Sequence, residues 1–442
     1  MTPARRWLAG GGLAVGACAL LGAVLLSLVP SDAELAQRLA AALGDASGVK
    51  VSVGAVHWQW RPLPVVVVDD LVSDQPQPVT LKKLSLYPNI SALWERRIQL
   101  DLLELEGAVV PQQSLRGLGG VAGLAKPVKA TAADARPGEA GWTLDELPLS
   151  RFVFRDVSWI SRSGVAVVYD GQADFDAGWR PRTAQLRRPG VKPATDLSLS
   201  RQGQQDRWAV LLNAGGGTGH GELQVQTLPN GHLHLTGKLQ PKGIEVASAL
   251  QAFNRRPVIS GQASGTTTLL ADGLNGIDMV GSLHTQTVFT MGPSTLLRFD
   301  LDKAVRSLGK AHDGQTRLDS LSGQLDTQNT AGGMVIDFTR IKATSGALSA
   351  SGKARLFNRH VDAEMAVDLV DGIVGVPLKI NGPLDKVTVS APPGAVAGAV
   401  VGTAVLPGVG TAIGARLGAA VSRMFGPAPE RSKAAPPAPS GR

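Results

Sequence analysis

The stretch VDAEMAVDL, residues 361–369, decides the fold class. Every second residue along it is apolar: Val361, Ala363, Met365, Val367 and Leu369. Because successive residues of a strand point to opposite faces, this alternation predicts a sheet with one apolar face and one face in water.

The same period of two recurs in shorter segments. It runs through 233–239, through 333–339, and through 98–102, after which the register slips by one residue. Glycine-centred turn signals near every tenth residue in the C-terminal half favour antiparallel strands in a meander. We interpret Pro229-Asn230 as the turn of one hairpin, which would place His234 opposite Val225. The sequence therefore predicts a mainly β protein.

The composition agrees with many short strands joined by turns. The 442 residues include 53 Gly and 28 Pro but only 9 Phe, 8 Trp and 2 Tyr, so turns are plentiful and large core residues are few. The net charge of +8 is concentrated near the N-terminus, in 180–192 and in 427–442. Such local patches do not make a nucleic-acid-binding face, so no nucleic-acid partner is expected. The segment 180–192 is interpreted as a solvated loop, with anionic lipid headgroups as the alternative partner.

The N-terminus predicts a membrane anchor. Residues 8–29 carry no charge, and a helix of this length measures about 33 Å, enough to cross a hydrocarbon core of about 30 Å. Arg5 and Arg6 precede it, which places the N-terminus in the cytoplasm and the body outside. A cleavable signal and a lipoprotein modified at Cys18 are the alternatives; the length of the run favours a single-pass, uncleaved anchor.

A short amphipathic helix follows the anchor. In DAELAQRLAAAL, residues 32–43, Leu35, Leu39 and Leu43 form one apolar stripe. Ser31 is the expected N-cap, with Glu34 completing a capping box, and Gly44 is the expected end.

A glycine-rich stretch near the C-terminus predicts a helical hairpin. Six glycines spaced by four form two stripes on either side of a Pro-Gly turn: Gly394, Gly398, Gly402, Gly410, Gly414 and Gly418. Such stripes let two helices approach closely. Each arm is too short to span a bilayer, so the hairpin either enters a membrane interface or packs on the protein's own sheet.

These patterns give a predicted order of segments. It runs from the anchor (1–30) through helix plus strands (31–115), a Gly-rich linker or loop (116–141), a long curved antiparallel β-meander (142–390) and the glycine hairpin (391–426) to a disordered tail (427–442).

Catalytic chemistry is not indicated. The sequence contains no nucleophile elbow, phosphate-binding loop or zinc-protease motif, so we expect a non-enzymatic protein without a cofactor. His232 and His234 share one strand face, but no third ligand accompanies them, and a solvated pair is preferred to a metal site. Asp69-Asp70 is interpreted as a strand end that enters a turn. Trp58 is assigned to core or interface packing rather than ligand stacking.

Two regions resemble AsmA-like proteins of Gram-negative envelopes. The first combines a helix, a G-x-x-V strand, a proline-containing strand and a run of leucines that closes on L-x-L-x-G. Its matching positions are Gly48, Val51, Pro62, Pro64, Leu84, Leu86, Leu93, Leu103, Leu105 and Gly107. The second region, about 299–387, resembles the closing β-meander, although Lys386-Val387 stand where the family often has a proline. The resemblance covers roughly half the chain.

The resemblance implies a strongly curved sheet that forms a hydrophobic groove, and a role in phospholipid traffic across the periplasm that supports outer-membrane biogenesis. Membrane phospholipids, the inner membrane and other envelope proteins are the implied partners. The alternating segments supply the candidate groove residues: Met334, Ile336, Phe338, Met365, Val367 and Leu369. The alternative is a structural or assembly factor for envelope proteins whose apolar strand faces are closed as a core.

Overall fold

The computed structural model describes residues 32–59, 64–95, 97–114, 143–176, 180–274, 276–330, 332–346, 348–369, 376–384 and 386–391. Its strands are hydrogen-bonded into an open, mixed sheet of 21 strands, which confirms the prediction of a mainly β protein. The predicted anchor, the linker 116–141, all of the predicted hairpin 391–426 except its first residue, and the tail lie outside the described residues. The chain divides into two compact units, 1–294 with 324–336 and 295–323 with 337–442.

The elements of the first unit are α1 (Asp32–Ser47), β1 (Val51–Gln59), β2 (Val65–Ser73), β3 (Thr80–Pro88), α2 (Ile90–Trp94), β4 (Arg97–Pro111), β5 (Thr143–Ile160), β6 (Ala166–Asp176), β7 (Arg180–Arg187), β8 (Asp196–Arg201), β9 (Arg207–Ala214), β10 (Gly217–Thr227), β11 (Leu233–Lys242), β12 (Ile244–Glu245), α3 (Val246–Ala252), β13 (Ile259–Gly273), α4 (Gly276–Ser282) and most of β14 (His284–Leu296). Those that follow are α5 (Leu301–Arg306), β15 (Thr316–Leu318), β16 (Ser320–Thr330), β17 (Gly333–Ser345), β18 (Leu348–Phe357), β19 (His360–Leu369), β20 (Val376–Pro383) and β21 (Thr388–Ser390). The division into units falls within β14, β16 and β17.

The amphipathic helix α1 is confirmed, but its predicted end is wrong. The helix continues past Gly44 to Ser47, and its last turn is closed by the Gly48 N–H, which donates to the Gly44 carbonyl at 2.9 Å. Gly48 has φ +72°, the left-handed conformation that glycine adopts at a helix C-terminus without steric cost. Leu35 and Leu39 are buried.

The core of the first unit forms where α1 packs on the first strands. Val56 pairs with Val68, and Val66 with Leu86, so one sheet face is apolar there. The predicted slip in β4 is present one residue earlier than expected: Tyr87 pairs with Leu102 but Pro88 with Leu100. The β3–β4 pairing skips Asp101, which forms a bulge. Because of this bulge, Leu100 and Leu103 lie on the same face of the sheet and belong to one buried cluster.

The expectation of an antiparallel sheet is wrong at one pair of strands. β4 and β5 run parallel, with Leu103 opposite Phe152. Parallel neighbours need a crossover of a dozen residues or more. The segment predicted as a linker, 116–141, lies between these two strands and is long enough for that crossover.

Two local predictions are also corrected. Asp69-Asp70 does not end β2, which continues to Ser73; Asp70 has φ +53° and the β1–β2 pairing skips it. The β10–β11 hairpin is shifted by one, with His234 opposite Gln226. Gly231, at φ +88°, joins the turn, so the loop has three residues rather than two.

The second unit has its own core. Across β18, β19 and β20 the register places Ala350 opposite Val367 and Val367 opposite Val376. Leu301 and Val305 of α5 join these residues in one buried cluster, and Val367 has no exposed surface. β19 therefore confirms the strand predicted at 361–369, with its apolar face covered at this position.

Candidate functional site

The register of the first unit aligns apolar residues into rows across seven strands. On one face of β6–β11 and β13, most residues lie opposite another apolar residue or a glycine, with Thr267 opposite Leu239 as an exception on β13. This central apolar face comprises Gly171, Ala173, Ala184, Leu186, Leu197, Leu199, Val210, Leu212, Gly219, Gly221, Leu223, Gly237, Leu239 and Leu269. The row through Leu197 and Leu212 carries no charge from β6 to β10, whereas the row through Leu223 meets Arg201 on β8, opposite Trp208.

Glycines lie beneath large side chains on this face. A Cβ added at Gly237 would overlap the Leu223 side chain, and one added at Gly221 would overlap Leu239. The same relation holds at β5 and β6, where the Phe154 ring covers Gly171. The large side chains therefore pack directly over the backbone of neighbouring strands.

The leucines in the middle of the central apolar face remain partly exposed. Leu199, Leu212 and Leu239 each keep some accessible surface, and Leu186 is exposed. By contrast, Trp208 and Leu233 near one end of the strands are buried, and so is Val210 on the face itself. Partial exposure of so many leucines differs from a dry core, where leucine is among the residues most often buried.

Helices of the described residues border this face at the ends of its strands. At one end α4 lies beside β11 and β13, and its Met279 packs on the cluster of Trp208 and Leu233. At the other end α3 packs on β12 and β13, and the residues after it reach β6: Asn254 Nδ2 donates to the Ala166 carbonyl at 2.6 Å. The helices thus form two rims with the partly exposed leucines between them.

The opposite face of the same strands is polar. Asp170 and Arg187 form an ion pair there at 3.1 Å, and His234 Nδ1 lies 2.6 Å from Asp272 Oδ1. The two faces therefore differ in chemistry, and the sheet is one-sided.

Two leucines interrupt the polar face. Leu211 and Leu270 point away from the central apolar face and are 37% and 43% exposed. Each is the immediate neighbour of a leucine on the apolar face, Leu212 or Leu269, so the chain itself supplies two matched pairs for comparison.

The segment 180–192 is not the solvated loop that the sequence indicated. Most of it is strand β7, and Arg180 and Arg187 form ion pairs with Asp206 at 3.2 Å and Asp170 at 3.1 Å. The Arg188 guanidinium donates to the carbonyls of Val168 and Ala252 and lies 5.5 Å from the Tyr169 ring centroid. Much of the positive charge in 180–192 therefore interacts with other groups of the same chain.

The six nominated groove residues occupy different environments. Met334 is 53% exposed, while Ile336, Phe338 and Met365 are half-buried. Val367 is fully buried in the second unit's core. Leu369 pairs with Leu348 through its backbone, and its side chain lies outside the described residues, as do the six hairpin glycines.

Sequence reasoning missed the central apolar face because its rows depend on register. Apolar alternation is visible within single segments, for example at Leu197 and Leu199 and again at Trp208, Val210 and Leu212. Which strand lies beside which, and in what alignment, was not readable from those segments.

Polar groups also occur elsewhere among the described residues. No cluster of three or more metal-binding side chains occurs among them. A small polar pocket on β3–β5 contains Tyr87, whose hydroxyl donates to Glu104 at 3.0 Å. Burial, and then this hydrogen bond, raise the pKa of Tyr87. Trp58 packs against the first core, whereas Trp94 is 85% exposed.

Comparisons with known proteins find no match to this chain among family models, curated proteins or solved structures. The resemblance to AsmA-like proteins therefore stays a prediction from the sequence motifs. In the part of the chain that the structure describes, no helix has the length and hydrophobicity needed to span a bilayer; residues 8–29 lie outside that part.

Proposed function

We propose that this protein is a phospholipid-handling protein of the cell envelope, with acyl chains bound along the central apolar face. In this proposal residues 8–29 anchor it in the inner membrane, and the body lies in the periplasm. The protein then acts by binding and transfer rather than catalysis and supports outer-membrane biogenesis.

The observation that carries the proposal is the row of partly exposed leucines that continues without a charge from β7 to β9: Leu186, Leu197 and Leu212. Acyl chains are apolar and flexible, so they need a continuous surface of this kind rather than a few precisely placed polar groups. The leucines pack over glycines, and their partial exposure offers such a chain apolar surface to contact.

The width of the central apolar face also suits an acyl chain. The seven strands β6–β11 and β13 are separated by six spacings of about 4.8 Å, or roughly 29 Å in all. One leaflet of a bilayer is about 15 Å of hydrocarbon. An acyl chain can therefore lie across several strands without reaching the edge of the face.

The test is transfer of a fluorescent phospholipid from donor to acceptor vesicles by the full-length protein. Leu212→Glu places a charge in the path of the acyl chains, whereas Leu211→Glu places the same charge on the polar face of the same strand. We expect Leu212→Glu to abolish transfer and Leu211→Glu to retain it. Equal rates for the two folded variants would contradict the proposal.

A second candidate, a structural or assembly factor, is favoured by one specific observation. In the second unit α5 covers the apolar face, and Val367 is fully buried. If the first unit is closed in the same way in the cell, the sheet is a scaffold. The wild-type protein would then transfer no phospholipid.

A further inference from the structure

The helix α2 lies at the same end of the first unit as the start of α1. After α1 the chain reverses at Gly48, so β1 returns along the helix and ends beside its beginning. β2 and β3 follow as antiparallel neighbours, with Trp58 opposite Val66 and Val66 opposite Leu86. The end of β3, and α2 directly after it, therefore return to the end where α1 begins.

This end is joined to the predicted anchor by a very short connection. The uncharged run ends at Val29, and α1 begins at Asp32. The three residue steps from Val29 to Asp32 span at most about 10 Å. If residues 8–29 span the membrane, this end of the unit therefore lies at the membrane surface.

α2 presents two large apolar side chains to solvent at this end. Ile90 is 45% exposed and Trp94 is 85% exposed. They are four residues apart, so they share one side of the helix. A tryptophan with this exposure is unusual on a protein surface in water, whereas tryptophan is enriched where a bilayer meets water.

The helix that carries these side chains is firmly held. Ala92 is buried against the sheet, and the Asn89 side chain caps the helix by accepting from the Ala92 N–H at 2.9 Å. Asn89 also donates to Asp101 at 2.8 Å, and its own N–H donates to the Gln99 carbonyl at 2.9 Å. Trp94 is therefore exposed on a fixed support.

We propose that α2 is a membrane-seating surface, with Ile90 and Trp94 inserted into the interfacial region of the anchor's own bilayer. This contact fixes the edge of the sheet against the membrane and is independent of whether the sheet binds lipid. The contact assigned to Ile90 and Trp94 is an apolar one, and beside it Arg97 is paired with Glu95 at 2.9 Å.

The experiment places an environment-sensitive fluorophore on a single cysteine at position 90 (Ile90→Cys) in the full-length protein, with the natural cysteine removed (Cys18→Ser). The protein is reconstituted in phosphatidylcholine vesicles that contain lipids with a quencher at the headgroup or on the shallow acyl chain. The control is Gln77→Cys, an exposed position in the β2–β3 connection at the opposite end.

We expect strong quenching at position 90 and none at position 77. Adding Trp94→Ala should lower the ratio of inserted to free helix roughly tenfold, the effect of losing about 60 Å² of apolar contact. Equal quenching at the two positions, or quenching at position 90 that Trp94→Ala leaves unchanged, would overturn the proposal. Lipid transfer that continues without quenching at position 90 would refute the seating surface alone.

Discussion

A carboxylate placed on the two apolar faces should have very different consequences. Val367→Asp introduces it into a cluster where the native side chain has no exposed surface. Leu212→Asp introduces it on the central apolar face, where the native leucine is partly exposed. The comparison measures directly whether each face is dry.

The expected magnitudes follow from burial. Full burial raises the pKa of a carboxyl by up to about 3–5 units, and each unit corresponds to about 1.4 kcal/mol. Val367→Asp should therefore cost about 4 kcal/mol at neutral pH, because a carboxyl whose pKa rises above about 7 stays protonated and adds no further charge penalty. This is a large part of the stability of a typical domain, about 5–15 kcal/mol. Leu212→Asp keeps its carboxylate near water and loses only part of the leucine's burial, about 1–2 kcal/mol.

Hydrogen exchange followed by mass spectrometry reads out both sites in the full-length protein. We expect the amides of β19 to lose protection in Val367→Asp, and those of β9 to stay largely protected in Leu212→Asp. The matched control, Leu211→Asp, should cost no more than Leu212→Asp, because Leu211 is 37% exposed on the polar face. If Leu212→Asp removes protection from β9 as completely as Val367→Asp removes it from β19, the central face is a closed core and the reasoning is wrong.

Three further substitutions test local features of the fold. Gly48→Ala should cost about 1 kcal/mol in urea unfolding, because Gly48 ends α1 in the left-handed conformation. Gly171→Ala should cost about 1–3 kcal/mol in the same measurement, because the new methyl group overlaps the Phe154 ring. Hydrogen bonds from Arg355 lower the pKa of Asp337, so their contribution is present above the ordinary carboxyl pKa and is lost as the pH falls through the lowered value. Arg355→Met should make hydrogen exchange of the second unit less sensitive to acid over that range.

Helices and strands were predicted correctly where the spacing of apolar residues alone determines the element. The stripe of Leu35 and Leu39 identified α1, and the alternation around Val367 identified β19. The end of α1 was misplaced because two glycines, Gly44 and Gly48, were both suitable, and only the backbone conformation distinguishes them.

Which distant segments pair with each other could not be predicted from local sequence patterns in the same way. The parallel alignment of β4 and β5 depends on a crossover whose path has no local signature. The shift in the β10–β11 hairpin arose because Gly231 belongs to the turn, and one residue in a turn changes every pairing along both strands. The candidate site is a property of such pairings, so its rows could be assembled only after the register was known.

Photocrosslinking at one matched pair tests the central claim most directly. A photoreactive side chain replaces Leu269 on the central apolar face, or its neighbour Leu270 on the polar face, in cells that express the full-length protein. We expect a phospholipid adduct at position 269 and none at position 270. Adducts at both positions, or at neither, would contradict a lipid-binding apolar face.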